Sequence, residues 1–392
     1  MDFSAPISWR RRFSMTHPIL DHLRKFDWFL AVAAGLLMMI GLLSLASLSS
    51  SSAFPFFERQ IMWVLVSVAA FFSIAYFDYR ILRSYSGLLL LFYILLTIAL
   101  AALFLVGTKV RGVISWFHIA GFAIEPGEFM KIILIVILAK YFSRRHVEIY
   151  RLRHLVISGI YVAIPGVLVL VQPDLGTALI LIGIWAGIVL FSGIRMKHLA
   201  MFLILGAALS IFSWFFVLAP YQQNRVTSFL NPWSDPRKTG YNAIQSMIAV
   251  GSGGLWGRGL GSGSQSHLNF LPEPATDFIF AAYAEEWGFA GVLFLLALYG
   301  ILFWRLFRIG LRASDNFARL VVWGISAVIF LHLLIHIGMN TGLLPITGIT
   351  LPLVSYGGSS LLTMMALLGL AESIATRSLR SGGQFVRDGT LA

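Results

Sequence analysis

A succession of apolar segments, each close to the length of a bilayer-spanning helix, constrains this chain more than any other feature. The segments fall at roughly 28–48, 61–77, 87–106, 129–142, 155–171, 175–192, 199–219, 278–304, 320–341 and 351–374. Only helices and closed barrels satisfy the backbone inside a bilayer. With 58% hydrophobic and 12% charged residues, the chain is predicted to be an all-α polytopic membrane protein with about ten transmembrane helices. The fourth segment is short and contains Lys131, so a partly re-entrant helix is the alternative there.

The basic residues predict how these helices are oriented. Most of the 29 Lys and Arg residues fall in the N-terminal tail and in short loops such as 143–154 and 305–319, which places both termini in the cytoplasm. This distribution explains the net charge of +12 without a nucleic-acid partner. We expect a cytoplasmic tail at 1–27, an integral membrane domain at 28–376, a cytoplasmic tail at 377–392, and one large extracytoplasmic loop at 220–276 between helices 7 and 8. Arg10 to Arg12 precede an apolar run too long for a signal peptide and without a clear cleavage site, so the first helix is expected to be retained.

The long loop and the absence of cysteine exclude several kinds of functional site. Amphipathic helical runs are predicted around Tyr221–Leu230 and Tyr241–Val250. The Gly-rich stretch 251–263 does not spell GxGxxG and follows no strand, which excludes a dinucleotide site; turns are favoured, and backbone amides approaching a phosphate are the alternative. The absence of cysteine excludes disulfides, zinc–thiolate sites and thiol nucleophiles.

Asp277 lies where this loop enters an apolar helix. Thr276 is predicted to be the N-cap and Asp277 to lie in the first turn, where the helix dipole favours a carboxylate. A purely structural role is therefore as consistent with the spacing as a functional one. Glu285 and Glu286 follow within the same apolar segment, and ionisable groups at membrane depth usually mark function.

Further polar groups begin other helices. Glu128 and Lys131 are three residues apart and can pair on one helical face, Asp174 can cap the helix that follows it, and Arg111 can either bind a phosphate or extend to the membrane interface. Two prolines and a Gly pair interrupt the start of the last segment, where Ser355, Ser359 and Ser360 can serve as interhelical hydrogen bonders. His332 and His336 are interpreted as core histidines, because no acidic residue or cysteine nearby completes a zinc site.

The order and spacing of these motifs resemble the SEDS family of polytopic cell-wall proteins, which includes RodA and FtsW. The resemblance covers nearly the whole chain, and among the motifs that carry it are Pro126-x-Glu128-Phe-Met-Lys131, Gln172-Pro-Asp174-Leu-Gly-Thr177, Thr276-Asp277-Phe-Ile-Phe-Ala281 and Pro352-Leu-Val-Ser355-Tyr-Gly-Gly-Ser-Ser360. Three positions depart from the family pattern: Gly127 replaces a usual Ser, Ser115 a frequent Arg, and Ala275 a His.

The resemblance implies a peptidoglycan glycosyltransferase that polymerises lipid II on the outer face of the cytoplasmic membrane, together with a class B penicillin-binding protein. It implies Asp277 as the general base, Arg111 and Lys131 as ligands of the diphosphate, and Glu128 and Glu285 as groups that orient the cations. Asp174, Ser355 and Ser359 are expected to contribute to substrate binding. Glu286 ranks lower because it projects from the opposite side of the helix. No cofactor is firmly predicted, although a divalent cation, Mg²⁺ or Mn²⁺, is compatible with this chemistry.

Alternatives remain open at the sequence level. The stretches 265–272 and 343–348 are more similar to RodA, the elongation branch, than to FtsW, the division branch. A lipid II flippase would use the same polar helix ends as a translocation path, but internal repeats and polar residues through the full membrane depth are not evident. A non-catalytic scaffold would leave those polar groups unexplained.

Overall fold

A computed structural model describes residues 26–49, 55–110, 113–119, 122–144, 152–193, 196–216, 223, 227, 229–236, 240–268 and 270–388. Helices dominate these residues. In chain order the helices are α1 (Trp28–Ser49), α2 (Phe56–Tyr76), α3 (Arg80–Ser84), α4 (Ser86–Val106), α5 (Pro126–Ser143), α6 (Leu152–Val171), α7 (Leu175–Phe191), α8 (Met196–Phe216), α9 (Tyr241–Ser252), α10 (Ser264–His267), α11 (Ile279–Arg312), α12 (Asn316–Asn340) and α13 (Gly358–Asp388). The predicted all-α polytopic architecture is confirmed.

Each predicted apolar segment overlaps one helix of at least 17 residues. Seven described helices are long and apolar enough to cross a membrane, and α7 is a shorter apolar helix. Helix α5 runs without a break from Pro126 to Ser143: the Glu125 amide before it donates to the Ser359 hydroxyl, and Lys140 near its end donates to the carbonyl of Leu82 at 3.1 Å. The number of membrane crossings and the cytoplasmic tails stay predictions. Helix α13 continues through the predicted tail boundary at residue 376 as far as Asp388.

The outer surface of the helices fits a bilayer. On α4 the buried residues are only Leu89, Tyr93, Leu100 and Leu103, and the remaining leucines and phenylalanines are largely exposed. An apolar surface of this extent is not stable in water, but lipid covers it. The core lies where α13 packs on α2, α11 packs on α1 and α12, and α5 packs on α7 and α12.

A small antiparallel sheet, which the apolar pattern does not reveal, precedes α5. Its strands are β1 (Thr108–Val110), β2 (Val113–Ile119) and β3 (Phe122–Ile124), in the order β1-β2-β3. Thr108 is paired with Trp116, and Phe117 with Ile124. The β-branched and aromatic residues of this stretch favour strands. The sheet lies at the end of the helix assembly where α5, α7, α11 and α13 begin, which we call the Asp277 end.

The predicted amphipathic helical run Tyr241–Val250 is observed as α9, which extends two residues further to Ser252. The other run, Tyr221–Leu230, lies outside the described residues except for positions 223, 227, 229 and 230.

Candidate active site

Asp277 lies in a tight turn two residues before α11, not in its first turn. The amides of Thr276 and Phe278 both donate to the carbonyl of Glu273, at 3.2 and 3.3 Å. Glu273 has φ 51°, and the Thr276 hydroxyl donates to the Glu273 carboxylate at 3.4 Å. The turn delays the helix, so the predictions of Thr276 as N-cap and Asp277 as a first-turn carboxylate are wrong. The N-cap is Phe278, which supplies no side-chain hydrogen bond.

Asn340, the last residue of α12, caps α11 instead. Its Oδ1 accepts from the amide of Ala281 at 3.2 Å, one of the first-turn N–H groups that have no partner within a helix. Its Nδ2 donates to the carbonyl of Asp277 at 3.0 Å and to the carbonyl of His336 at 2.8 Å. The Ser246 hydroxyl of α9 donates to the Asn340 carbonyl at 2.9 Å. This fully buried amide therefore fixes the backbone of Asp277 relative to α11 and α12.

The segment 343–357, which we call the strap, crosses beside Asp277 before α13 begins. The Tyr356 amide donates to the Ala275 carbonyl at 2.9 Å, and the Ser355 hydroxyl donates to the Thr276 carbonyl at 2.9 Å. Gly348, at φ 75°, passes so close that a Cβ added there would lie 3.8 Å from Asp277 Oδ2. The predicted break before the last helix is confirmed, and it forms one wall around Asp277.

The predicted Glu128–Lys131 pair is present in α5 and is buried. Lys131 Nζ donates to Glu128 Oε1 at 2.7 Å, and Lys131 is 1% exposed. The second Glu128 oxygen has no hydrogen-bond partner among the described residues. The sequence does not reveal a third member: His332 Nε2 of α12 lies 3.0 Å from Lys131 Nζ. His332 Nδ1 lies 3.1 Å from the carbonyl of Thr350 in the strap, so α5, α12 and the strap meet at Lys131.

Asp174 caps α7, as one of its two interpretations predicts. Its Oδ1 accepts from the Thr177 amide at 3.0 Å, and its Oδ2 accepts from the Ser115 hydroxyl of β2 at 3.2 Å. Glu125 lies beside this cap, with Thr177 Oγ1 at 3.5 Å. Burial raises the pKa of Glu125 well above its usual value, and the negative charges of Glu128 and Asp174 add to the increase while Lys131 opposes it. Glu125 thus lies close to two further carboxyl groups and to Lys131 at the Asp277 end.

The serines at and just before the start of α13 form hydrogen bonds with backbone groups and with the Thr350 hydroxyl. Ser359 accepts from the Glu125 amide at 3.1 Å and donates to the Ala123 carbonyl at 3.2 Å. The Ser360 and Thr350 hydroxyls lie 2.9 Å apart. Ser355 also accepts from the Leu351 amide at 2.8 Å. In this structure the Ser355 hydroxyl joins the strap to the turn before Asp277, and the Ser359 hydroxyl joins α13 to the chain just before α5. The predicted contribution of both serines to substrate binding stays a prediction.

Glu285 and Glu286 bind the segment 261–267, which we call the Gly-rich loop together with the Gly-rich stretch 251–263 that leads into it. The buried Glu285 carboxylate accepts from the amides of Gln265 and Ser266, at 2.9 and 3.1 Å, and from the Ser266 hydroxyl at 2.9 Å. Glu286 Oε1 lies 2.9 Å from His267 Nε2 and accepts from the Gly261 amide at 3.1 Å. The two neighbouring acids therefore bind the same loop, and this arrangement gives Glu285 a loop-holding role. Its predicted role in orienting cations stays a prediction.

The glycines of this loop allow two backbones to cross. The amides of Phe289 and Ala290 donate to the carbonyls of Gly254 and Leu255, at 2.9 and 3.0 Å. Gly257 and Gly288 have φ 80° and 64°, and a Cβ on either would overlap the other backbone. Gly288 also breaks the helical geometry of α11. Close approach of backbones, rather than turns alone or a phosphate site, accounts for these two glycines.

The structure supplies no contacts for two further predictions, the diphosphate-binding role of Arg111 and a bound divalent cation. Arg111 lies outside the described residues. Among the described residues, no group of three or more His, Asp or Glu side chains is placed to hold a metal ion. His332 and His336 are buried, as predicted for core histidines.

Comparisons with known proteins agree on one family. The profile of the FtsW/RodA/SpoVE family, described as cell cycle proteins, matches residues 21–379. Stage V sporulation protein E of Bacillus subtilis is 38% identical over 362 residues, which cover 90% of this chain and 97% of that protein. Peptidoglycan glycosyltransferase MrdB of Escherichia coli K12 is also 38% identical, over 87% of this chain and 92% of MrdB.

Two solved structures share the fold. A chain of a peptidoglycan synthase complex that coordinates polymerization and crosslinking is 32% identical, with a TM-score of 0.77 over 90% of this chain and 98% of that chain. The rod shape determining protein RodA of Thermus thermophilus is 28% identical, with a TM-score of 0.66 over 89% of this chain and 96% of RodA.

Proposed function

Because this chain belongs to the FtsW/RodA/SpoVE family, we propose that it is a peptidoglycan glycosyltransferase that polymerises lipid II into glycan strands. One observation carries the proposal: a partly exposed carboxylate, Asp277, is held at the same end of the protein as a buried Lys131–Glu128 pair, and the strap contacts both places. A sugar transfer from a diphosphate carrier needs a base and a cation at one site. Apolar helices around such a site would keep the lipid tail in the bilayer.

Asp277 is assigned the role of general base. Its carboxylate takes the proton from the 4-hydroxyl of the incoming sugar as that oxygen bonds to the anomeric carbon of the donor. The bond between the anomeric carbon and the diphosphate breaks at the same time, and the electron pair leaves with the lipid diphosphate. Asn340 and the strap hold the backbone on both sides of Asp277, so the base is fixed before substrate binds, which lowers the reorganisation needed in the transition state.

Lys131 is assigned to the departing diphosphate, where negative charge increases during the reaction. Its ammonium is buried, and a charge away from water acts more strongly on a nearby phosphate. Arg111 retains the same role as a prediction from the sequence. The described residues include no group of three or more His, Asp or Glu side chains that would hold a divalent ion.

Location, partner and branch complete the proposal. The Asp277 end faces the outside of a bacterial cytoplasmic membrane, as the distribution of Lys and Arg favours. A class B penicillin-binding protein is the proposed partner, because a similar chain occurs in a peptidoglycan synthase complex and this chain has no Ser-x-x-Lys run for transpeptidation. The stretches 265–272 and 343–348 favour the elongation branch over the division branch.

The decisive experiment gives labelled lipid II to the purified protein in liposomes and scores polymer and transbilayer movement separately. Asp277→Asn is expected to reduce polymerisation by at least ~10²-fold, since an amide of the same shape cannot accept the proton. Asp78→Asn is the matched control, because Asp78 pairs with Arg377 at 3.5 Å, away from the Asp277 end. Movement of lipid II without polymer from the unaltered protein would instead support a flippase. Near-normal polymer from Asp277→Asn would remove Asp277 from the base role.

A further inference from the structure

The Lys131 ammonium has three N–H donors, and two of them have defined partners. Glu128 Oε1 accepts one at 2.7 Å, and His332 Nε2 lies within hydrogen-bond distance at 3.0 Å. Both partners are buried, at 4% and 1% exposure. No third partner of Lys131 is recorded among the described residues. Fixing two donors of a tetrahedral ammonium also fixes the direction of the third.

The strap determines which nitrogen of His332 faces Lys131 as an acceptor. The Thr350 atom that lies 3.1 Å from Nδ1 is its carbonyl oxygen, which can only accept, so Nδ1 carries the proton that is donated to it. In the neutral ring Nε2 then has a lone pair, and that lone pair faces an ammonium that can only donate. Each contact in this chain then joins a donor to an acceptor: Lys131 donates to His332 Nε2, and His332 Nδ1 donates to the Thr350 carbonyl.

We propose that His332 is a positioning residue for Lys131, directing its third N–H toward the diphosphate of the substrate. This inference rests on the proposed function, since it assumes that Lys131 contacts the diphosphate. It goes beyond that function because His332 lies in none of the motifs that carry the family resemblance, and its sequence context indicates only a core histidine. His332 also connects Lys131 to the strap that passes Asp277, so the base and the cation share one support.

The chain offers a matched control one helical turn away. His336 is also buried, and its Nδ1 lies 2.7 Å from the carbonyl of Ile349, the strap residue next to Thr350. Its Nε2 has no hydrogen-bond partner among the described residues. The two histidines therefore make the same strap contact and differ in whether Nε2 meets Lys131.

Substituting asparagine or glutamine for His332 tests the contacts of its two ring nitrogens one at a time. In His332→Asn the amide nitrogen occupies the place of Nδ1 and can still donate to Thr350, but the acceptor for Lys131 is lost. In His332→Gln the amide oxygen reaches the place of Nε2 and can accept from Lys131, while the strap contact is lost. His336→Asn keeps the strap contact of His336 and shortens the side chain as His332→Asn does, but the nitrogen that it removes has no hydrogen-bond partner among the described residues.

The test measures lipid II polymerisation by the full-length variants, with kcat expressed per binding-competent protein counted by lipid II binding. His332→Asn is expected to lower kcat by ~10-fold or more, the effect of losing one hydrogen bond to a charged group, with a smaller change in KM. His332→Gln and His336→Asn are expected to stay within about threefold of the unaltered protein.

Two results would overturn the proposal: His332→Asn as active as His336→Asn, or His332→Gln as impaired as His332→Asn. The first would show that the Lys131 contact is unimportant, and the second that His332 matters through the strap or through packing. Thermal unfolding identifies any variant that does not fold, and if His332→Asn is one of them, retention or loss of activity in His332→Gln decides alone. Absence of polymer from the unaltered protein would refute the proposed function itself, which keeps the two failures distinct.

Discussion

Replacing Asn340 with alanine tests whether the structure holds Asp277 in place from a distance. The amide side chain caps Ala281 at 3.2 Å and binds the Asp277 carbonyl at 3.0 Å, and it is fully buried. Asn340→Ala leaves one N–H and one carbonyl without these partners. A buried polar group that loses its partner costs roughly 1–3 kcal/mol, so the two groups together should cost the variant about 2–6 kcal/mol of unfolding free energy.

The effect on activity should exceed the effect on the folded fraction. Freed from Asn340, the turn around Asp277 can shift, and displacement of a catalytic group by about 1 Å can lower a rate ~10²-fold. The assay combines unfolding in detergent with lipid II polymerisation per folded protein. Thr341→Val is the matched control, because within the described part of the chain the Thr341 hydroxyl bonds only to the α12 carbonyls of Ile337 and Gly338, at 2.9 and 3.3 Å. Polymerisation per folded Asn340→Ala protein equal to that of Thr341→Val would refute the reasoning.

Three further predictions concern the loop and the carboxyl cluster. Gly257→Ala should destabilise the protein more than Gly261→Ala, since both glycines have positive φ but only Gly257 faces another backbone; unfolding in detergent compares them, and equal losses would contradict the crossing. Glu285→Gln should increase amide hydrogen exchange at residues 265 and 266, whose N–H groups donate to its carboxylate; unchanged exchange would remove its loop-holding role. Because the pKa of Glu125 is raised, its contribution favours folding below its unfolded pKa and is lost as pH rises through the folded pKa. Glu125→Gln should therefore unfold at a higher temperature than the unaltered protein at alkaline pH but not at pH 4, and a difference independent of pH would argue against this.

The helices and their order could be predicted from the sequence because membrane-spanning segments carry a strong local signal. About 20 consecutive apolar residues are sufficient evidence, and no knowledge of the neighbours is needed. The Glu128–Lys131 pair and the Asp174 cap were accessible for the same reason, since the partners lie three residues apart. The sheet before α5 was not, because its strands are short and lie between two longer apolar segments.

The support of the site depends on contacts between residues far apart in the chain. Asn340 reaches Asp277 across 63 positions, and His332 reaches Lys131 across 201. A local rule assigned the start of α11 to Thr276, whereas a side chain from another helix caps it. The available signals were weak: one amide at the end of an apolar helix, and one histidine in an apolar segment, where a core position is the more common role.

The two acids of α11 show how the membrane argument itself depends on the backbone. Read as one continuous apolar segment, residues 278–304 place Glu285 and Glu286 at a costly depth. The structure breaks the helix at Gly288, where φ is 64° and ψ is −166°. From Phe289 to Arg312 the helix is still about 36 Å long at 1.5 Å per residue, enough to cross the hydrocarbon core without the preceding turns. The acids therefore need not enter the bilayer, and their hydrogen bonds to the loop satisfy their charges at the Asp277 end. The same glycine that permits the backbone crossing thus gives both carboxylates a structural role, beside which the cation-orienting role of Glu285 stays a prediction.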